Sequence, residues 1–150
     1  MRRPPALRIM AANLSAKSVE SMTPQRELSV REPVVVVVDD DPAVRNSLIF
    51  SLELEGFTVR AYRSGAELLQ IGNLGDCDCY VIDQRMPSMN GMDLIEQLRQ
   101  REISTPAILI VSQCNAAVAA RADKAAVPIV EKPFLNNALV DKIREACGHA

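Results

Sequence analysis

Tryptophan is missing from this 150-residue chain, and three phenylalanines and two tyrosines are its only large rings. Any core must therefore be aliphatic. Histidine is nearly missing too: His149, beside the C-terminus, is the single one. That removes the usual partner for a cysteine metal site. Cys77-Asp78-Cys79 has no second pair at ligand spacing, and Cys114 and Cys147 stand alone. Four reduced thiols are expected, as in a non-oxidising compartment. No run approaches the roughly 18 apolar residues of a membrane span. Neither charge sign dominates: 17 basic against 19 acidic residues leave a net charge of −2. There is no basic field for nucleic acid and no acidic tail, so direct contact with DNA or a membrane is not expected. The remaining balance, 48% apolar and 24% charged, is that of a soluble cytoplasmic globular protein of one domain with a tail.

The tail is residues 1–32. Pro4, Pro5 and Pro24, scattered serines and arginines, and no sustained apolar period predict a flexible extension. Arg8 interrupts the apolar patch Ala6 to Leu14, which makes a poor signal-peptide core. Met10 and Met22 are alternative starts.

From Pro33 onward two periods alternate. Val34 to Val38 is a continuous apolar run, as in a strand covered on both faces. Asp41-Pro42 predicts a helix start, with an aspartate N-cap and proline at the first helical position. Val44, Leu48 and Leu52 continue that helix and Gly56 closes it. Strands are predicted again at Phe57 to Tyr62, Cys79 to Ile82, Ala107 to Val111 and Val127 to Val130. Helices are predicted at Ser64 to Ile71, Gly91 to Gln100, Ala116 to Ala126 and Leu135 to Cys147. Alternating strands and helices imply a doubly wound α/β fold, a five-stranded parallel sheet with right-handed crossovers. In such sheets ligands bind outside the carboxyl ends of the strands.

Those ends carry the chemistry. Asp39 and Asp40 follow the first strand, Asp83 the third, Ser112 the fourth and Lys132 the fifth. Two carboxylates about 4 Å apart repel by roughly 1 kcal/mol in water and about 4 at an effective dielectric of 20. Such a cluster takes up protons or a cation. Hard oxygen ligands with room for water and a phosphate suit Mg²⁺. A carboxylate there can also act as a nucleophile towards a phosphoryl group. Lys132 supplies a mobile positive charge for its oxygens and Ser112 a hydroxyl.

The run Val37-Val38-Asp39-Asp40, then Ile82-Asp83-Gln84-Arg85-Met86-Pro87 with Gly91, then Ser112, then Lys132-Pro133-Phe134 resembles the receiver domain of two-component response regulators. Asp39-Asp40-Asp41-Pro42-Ala43-Val44-Arg45 is most similar to the FixJ-type subgroup. The resemblance implies a receiver domain over residues 33–150 and a flavodoxin-like fold of strand order 2-1-3-4-5. It implies Asp83 as phosphoacceptor, charged by a sensor histidine kinase or a histidine phosphotransfer protein. It further implies Mg²⁺ held by Asp40, Asp83 and the backbone carbonyl of Arg85, with Asp39 acting through water. Lys132 would contact the phosphoryl group, Ser112 would swing towards it, and a cis peptide would join Lys132 to Pro133. Phosphorylation would repack the face of the fourth helix, fifth strand and fifth helix.

Three departures stand out. Ile129 occupies the aromatic switch position. Ala125-Ala126 replaces the usual Gly-Ala. The fourth helix is mostly alanine and can bury little area, which predicts a weakly anchored, mobile element. These departures favour, as the alternative, a phosphorylation-independent interaction module on the same fold. Arg85 and Cys114 flank the site, Arg85 placed to shield the phosphoryl group or pair with Asp39. With Ala150 close behind the last helix, the chain reads as a stand-alone receiver acting on a downstream protein. A homodimer through the first helix, or the fourth and fifth, is compatible with the sequence, although no decisive apolar patch marks one. A haloacid-dehalogenase-type phosphatase shares the order Asp, Ser, Lys, yet lacks the acidic pair beyond Lys132 and leaves Asp83-x-Arg-Met-Pro unexplained. A dinucleotide-binding domain fails for want of Gly-x-Gly-x-x-Gly after the first strand.

Overall fold

The computed structural model describes residues 31–134 and 136–148. The expectations for residues 1–30, Leu135 and His149 lie outside the described residues. Five parallel strands form one sheet: β1 (Val34–Val38), β2 (Thr58–Tyr62), β3 (Cys79–Asp83), β4 (Ala107–Val111) and β5 (Ile129–Glu131), in the order β2-β1-β3-β4-β5. The helices between and after them are α1 (Pro42–Leu54), α2 (Gly65–Leu69), α3 (Gly91–Gln100), α4 (Ala116–Lys124) and α5 (Ala138–Ala146). The flavodoxin-like strand order is the one the family resemblance implied.

Local chemistry explains most boundaries. The Asp41 carboxylate accepts a bond from the Ala43 amide, and Pro42 starts α1 as expected. Gly56 then takes φ +97°, a left-handed conformation that only glycine adopts freely, and the chain turns into β2. Ser64, Asn90 and Asn115 cap α2, α3 and α4 in the same manner.

Other boundaries differ from expectation. Strand five was expected over Val127 to Val130 but runs Ile129–Glu131. Ala126 sits at φ +58°, and the turn it makes uses up Val127 and Pro128 before the ladder begins. The last helix starts at Ala138, and α2 and α4 each end two residues early.

Side chains of successive strand residues point to opposite faces, and two cores result. Val36, Val38, Tyr80, Ile82, Leu109 and Val111 face Leu68 of α2, the apolar side of α3 and Ala122 of α4. Val35, Val37, Val81, Ile108 and Ile110 face Leu48 and Leu52 of α1 and Leu139 and Ile143 of α5. Each fully buried aliphatic side chain contributes roughly 1.5–3 kcal/mol, so the central strands are fixed firmly. Their register sets the site: Val38 pairs with Ile82, Asp83 with Ile110, and Val111 with Glu131. Asp39 therefore emerges level with Asp83, and Ser112 level with Lys132.

Candidate phosphoryl-acceptor site

Three carboxylates converge at that edge. Asp39, Asp40 and Asp83 each offer an oxygen, and the three atoms lie within 4.8 Å of one another. Asp39 is 1% exposed and Asp83 5%, whereas Asp40 is open to solvent. The Lys132 ammonium reaches into the group, 3.1 Å from Asp83 Oδ1 and 3.6 Å from Asp39 Oδ2. Its backbone amide, bonded to the Val111 carbonyl at 2.8 Å, holds the lysine beside Ser112. The Lys132–Pro133 peptide is cis.

One cation serving two buried anions leaves the cluster under-neutralised. Burial, followed by the charge of Asp39, pushes the Asp83 carboxyl above its ordinary pKa, and Lys132 opposes this only in part. Burial disfavours the charged Lys132, but the bond to Asp83 and the two negative charges outweigh it and raise its pKa. In both shifts the neighbouring carboxylates contribute, after burial, in the direction expected of a locally negative cluster. Asp39 Oδ1 accepts the Asp41 amide at 2.9 Å, but Oδ2 is buried with no hydrogen bond, because 3.6 Å to the ammonium is too long for one. An orphaned carboxylate oxygen on one member of a three-carboxylate cluster suits a hard divalent cation, and the residues fit Mg²⁺.

Sequence reasoning missed two supports. Arg45 projects back from α1, and its guanidinium donates to the Asp39 carbonyl at 2.8 Å, fixing the turn that carries Asp39 and Asp40. Its place in the Asp-Asp-Asp-Pro-Ala-Val-Arg run was the available signal. Gln84 accepts the Met92 amide at 2.9 Å through its side chain, tying the residue after Asp83 to the start of α3. Gly91 was noticed only as part of a motif. A Cβ there would lie 2.7 Å from the Asp83 carbonyl and from Leu109, so α3 begins in contact with the end of β3.

Ser112, Arg85 and Lys132 line one open depression with Cys114. Arg85 is exposed and, among the described residues, forms no ion pair with Asp39, so that suggested pairing is not found. Ile129 is half-buried and packs on the α2–α4 side of the sheet. No disulfide joins the four cysteines, and burial pushes Cys79 and Cys77 up. No described helix is long and apolar enough to cross a membrane.

The family model for the response regulator receiver domain matches residues 35–144. The transcriptional regulatory protein FixJ of Azorhizobium caulinodans is 36% identical over 117 residues, covering 77% of this chain and 56% of that protein. The C4-dicarboxylate transport transcriptional regulatory protein DctR of Rhodobacter capsulatus is 36% identical over 110 residues, covering 71% and 56%. The chain thus spans about half the length of these curated relatives. Among solved structures, the crystal structure of FixJ-N has a TM-score of 0.68 at 32% identity and covers 81% of this chain and 98% of its own. That of the response regulator StyR gives 0.72 at 33%, covering 79% and 60%. The chain belongs to the response regulator receiver domains of two-component signalling and is FixJ-like among them.

Proposed function

We propose that this receiver accepts a phosphoryl group on Asp83 from a phosphohistidine of a sensor kinase or phosphotransfer protein. The observation that carries the reading is the Lys132 ammonium set between Asp83 and Asp39, with the orphaned Asp39 oxygen beside it. In the transfer an Asp83 oxygen attacks phosphorus, the P–N bond breaks, and the imidazole leaves. Lys132 pairs with the phosphoryl oxygens once the Asp83 charge is spent on the new bond. Ser112 supplies a hydroxyl donor from the β4–α4 loop.

Asp39, Asp40, Asp83 and the Arg85 carbonyl would hold Mg²⁺. When bound, it neutralises the carboxylates and the charge on the transferring group. Arg45 and Gln84 keep the two acidic turns in place and leave the chemistry to others. We propose further that the output of this domain is contact with a protein partner, because its net charge of −2 offers no field for DNA.

The reading is tested by intact mass after incubation with Mg²⁺ and acetyl phosphate. A Mg²⁺-dependent, base-labile phosphoryl adduct is expected on the native chain and none on Asp83→Asn. Absence of any adduct, with no binding of beryllofluoride, would leave the phosphorylation-independent interaction module, which Ile129 and the alanine-rich α4 favour.

A further inference from the structure

The helix beside the site has little apolar anchorage. Among its residues only Ala122 is buried, with Val118 half-buried. Against that small area stands one long side chain. Arg121 Nη2 lies 2.8 Å from Asp93 Oδ1 and 2.8 Å from Glu96 Oε1, and its Nε donates to Glu96 Oε2 at 3.0 Å. The guanidinium fork thus grips two carboxylates of α3. α3 itself is firmly seated, with five buried residues and a reciprocal cap between Asn90 and Asp93. At its other end α4 closes through Ala126 at φ +58°, a conformation unfavourable for a residue with a Cβ.

α4 is also mechanically close to the acceptor. Only Gln113, Cys114 and Asn115 separate Ser112 from its first turn. A cavity of ≈ 260 Å³ lies between the β3–α3 and β4–α4 loops, lined by Gln84, Arg85, Asn90, Ser112, Gln113 and Asn115. Ser112 lines that space, so a loop drawn towards a group on Asp83 has room to move, and the helix three residues on is the nearest element for it to pull. Whatever holds α4 in its resting position opposes that movement.

We propose that Arg121, clamped on Asp93 and Glu96, is an ionic latch that holds α4 in the resting position and so sets how readily the domain accepts its activating group. The inference rests on the acceptor role of Asp83 proposed above. By linkage, a contact that favours the resting state lowers affinity for a phosphoryl group, or its analogue, by the factor with which it biases the two states. The latch is half open to solvent, at 34% side-chain exposure for Arg121, so salt weakens it.

The test titrates the full chain with Mg²⁺ and beryllofluoride, comparing the native protein with Arg121→Gln and Glu96→Gln. Asp93 is left alone because it also caps α3. Arg121→Gln is expected to bind about fivefold more tightly, Glu96→Gln by an intermediate factor, and both gaps should narrow at high salt. A purely structural tie would lower the melting temperature and leave those affinities unchanged. Unchanged or weaker binding in both variants, beside a native chain that binds, overturns the latch alone. A native chain that binds no beryllofluoride overturns the acceptor reading and the latch with it.

Discussion

Helices α3 and α4 lie on the same side of the sheet and are anchored by different physics. α3 buries Met92, Leu94, Ile95 and Leu98, and Gly91 at its start sits against the end of β3. α4, of nearly equal length, buries one alanine and relies on a guanidinium fork. Apolar burial is insensitive to salt and expensive to undo. An exposed ion pair is inexpensive to undo and is screened by salt. The contrast places the firmly packed helix next to Asp83 and the weakly packed one next to the loop that carries Ser112.

The largest expected effect comes from cutting the firmly packed side. Leu98→Ala should destabilise the domain by about 2–5 kcal/mol in chemical denaturation, since Leu98 is fully buried. The corresponding truncation on the weakly packed side, Val118→Ala, should cost well under half as much, because Val118 is half-exposed. Equal costs would break the comparison. Next in size is the backbone at the end of α4. Ala126→Gly should stabilise the fold by about 0.5–1 kcal/mol by relieving the left-handed conformation.

A further test concerns pH. The folded-state pKa of Asp83 is raised by burial and by Asp39, so the native state binds the proton more tightly than the unfolded chain. Stability from this group is therefore lost as pH rises from the ordinary carboxylate value through the raised one. With Mg²⁺ chelated, Asp83→Asn should be more stable than the native chain at neutral pH, and the difference should vanish in acid. A variant less stable at neutral pH would show that the Lys132 ion pair outweighs the burial and repulsion assigned here. The smallest effect is on α4 itself: raising salt should speed amide exchange along 116–124 and leave 91–100 unchanged.

Much of this was legible in the sequence, for identifiable reasons. The alternation of apolar runs with helix caps such as Asp41-Pro42 marks the strands and helices, because each signal is local. The convergence of Asp39, Asp40, Asp83 and Lys132 follows from the parallel sheet, since every residue after a strand lands on one edge. What escaped reading depends on long-range or unusual backbone geometry. Strand five shifted because Ala126, without glycine's freedom, still adopts positive φ. The alanine-rich α4 gave no hint that Arg121 would meet residues 25 and 28 positions earlier. Arg85 was a candidate partner of Asp39, yet the arginine that supports Asp39 is Arg45, through the backbone carbonyl.

Asp83, and no other carboxylate of the cluster, is proposed to carry the phosphoryl group. Hydroxylamine converts an acyl phosphate into a hydroxamate and so marks the side chain that bore it. Peptide mapping of the native chain after Mg²⁺ and acetyl phosphate, then hydroxylamine, should place the mark on Asp83 alone. A mark on Asp39 or Asp40, or none in a sample that had gained a phosphoryl mass, would contradict the account.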